Sequence, residues 1–78
     1  MCSIIGYSGN EIAAPIIVKG LKRMEYRGYD SVGVATESEN KIGLKKGTGK
    51  VSEVNSKFQL DALPGKIGIG HTLSLIHI

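Results

Sequence analysis

Pro15 and Gly28 bracket the stretch that most constrains this chain. Proline suits the first turn of a helix and not its interior, and glycine is a natural residue just past a helix end. Between them Ile17, Leu21 and Met24 recur at the helical spacing i, i+4, i+7, with Ile16 and Gly20 beside them. Lys22 and Arg23 sit where a helix C-terminus favours positive charge. The spacing predicts a helix that starts at Pro15 or, capped by Asn10, somewhat earlier. Gly20 inside it costs stability relative to alanine, so a close neighbour is expected there.

Short extended segments lie on both sides. Ser3 to Tyr7 reads as a buried strand stopped by Gly6 and by the Ser8-Gly9-Asn10 turn. Ser31 to Thr36 reads as a second strand, Glu37 to Asn40 as a polar hairpin loop, and Lys41 to Lys45 as the returning strand. After the Gly47-Thr48-Gly49 turn, Val51 to Phe58 reads as a short helix with Val51, Val54 and Phe58 inward. Lys66 to Thr72 reads as a further strand. The order βαββαβ places the chain in the α+β class. At 78 residues it offers at most one small domain. With Lys66–Thr72 as an unpaired edge, we expect the isolated chain to associate or stay partly disordered.

Composition is globular, 41% hydrophobic and 22% charged. One cysteine permits no internal disulfide, no apolar run is long enough to span a bilayer, and no positive charge precedes Ile4-Ile5 as a signal peptide requires. The expected location is cytoplasmic. Net charge is +3, and the basic run Lys45-Lys46-Gly47-Thr48-Gly49-Lys50 lacks interleaved aromatics, so no nucleic-acid partner is expected. No phosphate-loop pattern is present. His71 and His77 have no second cysteine and no H-E-x-x-H spacing, so no metal and no cofactor are expected.

Chemistry concentrates at Cys2. With Met1 removed, one residue carries both a thiol and a free α-amine. The thiolate is the nucleophile, and a free thiol with a pKa of about 8.5 needs a base. An α-amine with a pKa near ~7.8 is substantially neutral near pH 7 and can serve as that base. The bland alternative is an inert cysteine in a small non-catalytic binding protein.

Several stretches together resemble the class II glutamine amidotransferases, which belong to the N-terminal-nucleophile hydrolases. These are Met1-Cys2-Ser3-Ile4-Ile5-Gly6-Tyr7, Gly20 through Gly33 with its Tyr26-Arg27-Gly28-Tyr29-Asp30-Ser31 core, Gly49-Lys50-Val51, and Gly68-Ile69-Gly70-His71-Thr72. The Tyr26–Ser31 core resembles the branch that aminates fructose 6-phosphate, and differs from the purine-pathway and asparagine-forming branches. The resemblance implies a four-layer αββα sandwich, helices over two mixed sheets, of which this chain is an incomplete part. It implies that Cys2 attacks the side-chain amide of glutamine, and that ammonia passes to a sugar-phosphate isomerase domain in a longer, homo-oligomeric parent enzyme. Arg27 and Gly28 match residues that support the nucleophile; for Arg27 the alternative is a helix-end charge paired with Asp30.

The resemblance covers residues 1–72, a portion of a glutamine amidotransferase domain. Ser3 stands where glycine is usual. After Thr72 the family continues Arg-Trp-Ala-Thr-His-Gly, which supplies groups that bind glutamine; here Leu73-Ser74-Leu75-Ile76-His77-Ile78 follows. Substrate-binding residues are therefore not assigned, and the later Asn-Gly oxyanion pair has no counterpart. These six residues resemble the translation of a transposase adapter used in sequencing libraries, since CTG TCT CTT ATA CAC ATC reads Leu-Ser-Leu-Ile-His-Ile. Residues 73–78 are expected to be a non-native tail from adapter read-through, and the isolated chain is expected to be inactive.

Overall fold

A computed structural model of the chain describes residues 2–24 and 30–74. The elements run β1 (Ser3–Ser8), α1 (Ala13–Met24), β2 (Asp30–Ser38), β3 (Lys41–Thr48), α2 (Val51–Phe58), a short 3-10 turn at Leu60–Ala62, and β4 (Ile67–Ser74). This is the expected βαββαβ order and an α+β fold. The sheet is ordered β1-β4-β2-β3, and its three pairings among the described residues are all antiparallel, not mixed. β4 is not the edge strand expected from sequence. It lies between β1 and β2, and the edges are β1 and β3.

Helix α1 begins at Ala13, so Pro15 falls in its first turn, as its missing N–H allows. Asn10 does not cap it. Instead the Ala13 N–H donates to the Gly65 carbonyl at 2.8 Å. Gly65 holds φ +113, a left-handed value that glycine adopts without strain, and a Cβ added there would collide with the Glu37 carbonyl. One glycine thus ties the start of α1 to the loop before β4.

The buried stripe of α1 is Ala13, Ala14, Ile17, Val18 and Leu21. Met24, expected inward, lies in the same angular range as the stripe but is 38% exposed at the last position of the helix. Gly20 has the expected close neighbour, the side chain of Ile5. In α2, Val51 and Val54 are buried as expected, but Phe58 lies across Gly47 with nearly half its surface exposed. The Lys50 N–H donates to Glu53 Oε1 at 3.0 Å and closes the start of α2. At its far end Asn55 and Asp61 exchange two hydrogen bonds, of 3.0 and 3.2 Å.

The hairpin between β2 and β3 is tighter than the sequence implied. Glu39 and Asn40 alone form the turn, both with positive φ, the geometry that suits a twisted antiparallel pair. Glu37 Oε2 accepts the Asn40 N–H at 3.1 Å.

Both helices cover the same face of the sheet. Towards them point Ile5 and Tyr7 of β1, Gly68, Gly70 and Thr72 of β4, Val32, Val34 and Thr36 of β2, and Gly43, Lys45 and Gly47 of β3. The core is formed by the α1 stripe, Val32, Val34, Val51, Val54, Leu60 and Leu63. The opposite face carries Ile4, Ile42, Leu44, Ile67, Ile69, His71 and Leu73, and no described element covers it.

Candidate active site

Cys2 immediately precedes β1 and is exposed. Its strand is held along its whole length by β4, from Ser3 opposite Thr72 to Ser8 opposite Ile67. Side chains alternate along a strand, so Cys2 falls on the same side as Ile4, the uncovered face. There it borders a depression of about 350 Å³ lined by Cys2, Ser3, Ile4, His71, Thr72 and Leu73. The lining is mainly apolar, which suits a thiol beside the aliphatic stem of a small substrate and leaves polar recognition to other groups.

His71 is a residue that sequence reasoning weighed only as a metal ligand. It lies directly opposite Ile4 in the β1–β4 register and forms one wall of the depression. The signal was present in Ile67-Gly68-Ile69-Gly70-His71. Period-two alternation puts His71 on the isoleucine side, and the pairing of β4 with β1 brings that side to Cys2. The imidazole leans over Gly33, where an added Cβ would stand 2.9 Å from Nε2. Beyond it lies a second depression of about 430 Å³, lined by Ser31, Val32, Lys46, Gly47, Thr48 and His71. His71 therefore forms the partition between the two.

Arg27 and Gly28 lie outside the described residues. The strand that follows them, β2, starts at the Cys2 end of the sheet: Ser31 pairs with Leu73, one position beyond the Thr72–Ser3 pair. Leu73, on which the family resemblance would place an arginine, is partly exposed at the edge of the depression. His77 also lies outside the described residues. No described helix is long and apolar enough to cross a membrane.

No protein-family profile matches the chain. Among curated proteins it is similar to the isomerizing glutamine–fructose-6-phosphate aminotransferase of Pyrococcus horikoshii, with 57% identity over 77 residues, covering 99% of this chain and 13% of that protein. The enzyme of the same name from Methanococcus maripaludis is likewise 57% identical over 77 residues, again 13% of its length. That of Methanocaldococcus jannaschii is 52% identical over 73 residues, covering 94% of this chain and 7% of that protein. The chain thus spans only a small part of the curated relatives it matches.

Proposed function

We propose that this chain, which belongs to the glutamine–fructose-6-phosphate aminotransferase family, is the nucleophile-bearing part of that family's glutamine-hydrolysing domain. In this reading Cys2 loses Met1, and its own α-amine takes the thiol proton. The sulfur attacks the side-chain carbonyl of glutamine. The tetrahedral adduct expels ammonia, which leaves with the proton, and a γ-glutamyl thioester remains. Water then cleaves the thioester, releasing glutamate and restoring the thiol. The ammonia serves conversion of fructose 6-phosphate to glucosamine 6-phosphate in a sugar-phosphate domain of the longer parent.

The observation that supports this best is the placement of the chain's one thiol. It stands exposed at the end of a fully paired strand, beside a depression large enough for an amino-acid side chain. A strand end held by six register pairs is a rigid mount, as nucleophilic catalysis requires. Arg27 and Gly28 are proposed to support the nucleophile from the segment that leads into β2. The 78 residues supply no oxyanion pair, and an oxyanion donor commonly contributes about 10²–10³ in rate. In this reading glutamine turnover needs the rest of the parent domain, and residues 73–78 are read as the non-native tail. The parent is read as a cytoplasmic homo-oligomer.

The test is Cys2→Ala in a full-length enzyme carrying residues 1–72 of this sequence. Glutamine hydrolysis and glutamine-dependent synthesis are expected to vanish, while isomerisation of the sugar phosphate continues. Glutamine turnover that persists in the variant places the nucleophile elsewhere.

A further inference from the structure

Gly33 is an unexpected residue for the middle of an interior strand. β2 lies between β4 and β3, Gly33 is flanked in sequence by Val32 and Val34, and glycine there weakens a strand unless something else needs the space. In register Gly33 stands between His71 of β4 and Lys46 of β3, in the row that ends at Ile4 of β1. The missing side chain leaves a gap, and the imidazole of His71 leans into it. A Cβ added at Gly33 would stand 2.9 Å from Nε2 and 3.4 Å from Cδ2 of His71, and 3.3 Å from Cβ of Lys46. The Lys46 Cβ is fixed to the backbone of β3, so the ring is the part that would have to give, and its way out leads towards β1 and Cys2. On one side of the ring lies the Cys2 depression of about 350 Å³, and on the other the depression of about 430 Å³ that holds Ser31, Lys46 and Thr48. Among the described residues only His71 lines both.

We propose that His71 is a specificity-determining residue of the glutamine site: its ring, seated in the gap that Gly33 leaves, is the wall on the β2 side of the Cys2 depression and sets how large a γ-amide the thiol accepts. This role deepens the glutaminase reading and rests on it. A primary amide such as that of glutamine fits beside a closed wall. An N-substituted γ-amide needs room beyond its nitrogen, and on the β2 side that room is the neighbouring depression, which the ring shuts off. The seat is built within one sheet, from residues that the strand register places, so it holds whatever covers this face in the longer parent. A difference of one methylene in an apolar site is worth about 10–200-fold in discrimination between substrates. A ring that moves by part of an ångström, or is absent, acts on that scale.

The test uses a full-length enzyme carrying residues 1–72 of this sequence and compares glutamine with γ-glutamyl p-nitroanilide, from which p-nitroaniline leaves with the proton in place of ammonia and is read by its colour. The readout is kcat/KM for the anilide divided by kcat/KM for glutamine. His71→Ala opens the wall and is expected to raise this ratio by about tenfold or more, with the loss on glutamine carried by KM rather than kcat. Gly33→Ala pushes the ring towards Cys2 and is expected to lower the ratio by about threefold or more. In the double variant the added methyl meets no ring, so Gly33→Ala is expected to change nothing in the His71→Ala background. A far-UV spectrum and melt like the parent's check that each variant is folded. Should His71→Ala fail that check, Gly33→Ala, which keeps the ring, decides alone. A ratio that stays within about twofold of the parent's in a folded variant overturns the proposal. So does a Gly33→Ala effect that is undiminished without the ring, which would place its cause outside His71. Glutamine turnover that survives Cys2→Ala refutes the glutaminase reading instead, whichever way these ratios move.

Discussion

Gly70→Ala probes how closely α1 rides on the sheet. A Cβ built at Gly70 falls on Cγ2 of Ile17 and 2.9 Å from Cδ1 of Leu21. Carbon atoms in good contact stand about 3.5–4.0 Å apart, so either the helix lifts by most of an ångström or Ile17 leaves its rotamer. Lifting is opposed at the next helix-facing position, where the same Ile17 sits over Gly68. Overpacking of this kind costs about 1–3 kcal/mol. Alanine loses less chain entropy than glycine in a strand, which returns roughly 0.5–1 kcal/mol. The net expectation is a loss of about 1–2 kcal/mol, or roughly 5–15 °C in Tm for a chain of this size. Thermal and urea melts at one fixed protein concentration measure it. Ile17→Ala alone should cost about 2–5 kcal/mol. Combined with Gly70→Ala it should cost less than the two losses together, by about 1–2 kcal/mol, because the truncation removes the clashing methyl. Gly6→Ala is the control: its nearest neighbours would lie at 3.7 Å, ordinary contact, and no loss is expected. A Gly70→Ala chain as stable as the parent, or strictly additive losses in the cycle, refutes the packing argument.

Two further substitutions test other parts of the fold. Thr36 is buried and its Oγ1 has no hydrogen-bond partner among the described residues; Thr36→Val, of nearly the same shape, should raise stability by about 1 kcal/mol in the same melts. Gly65→Ala places a Cβ against the Glu37 carbonyl at a left-handed φ, and should cost about 2 kcal/mol or more, with faster amide exchange at Ala13 as its hydrogen bond to residue 65 loosens.

The elements were legible in the sequence because each carries its own local signal: helical spacing after Pro15, alternation in Lys41–Lys45, a polar loop over Glu37–Asn40. Strand partners were not. β1 pairs with residues 59 to 69 positions away, and nothing in Ser3–Ser8 names Ile67–Ser74 as its neighbour. Alternation also shows that a strand has two faces without showing which one is covered. In Ile67-Gly68-Ile69-Gly70 the helices take the glycine side, because a close helix needs room, and the isoleucines are left outside. The same inversion leaves Ile42 and Leu44 of β3 exposed. Cys2 was legible as a candidate nucleophile from its position alone. His71 was not, since its place in the site depends on the long-range register.

The strand order also sets a schedule. Among the described residues β1 is the first strand made, yet the strand it pairs with, β4, is the last. At roughly 5–20 residues per second of synthesis, Ser3–Ser8 waits about 3–13 s before residues 67–74 exist to pair with it. Throughout that interval Ser3–Ser8 has no sheet to lock it. The proposed removal of Met1 would then precede completion of the sheet, and the amine proposed as the base would be uncovered before the strand that carries it becomes rigid.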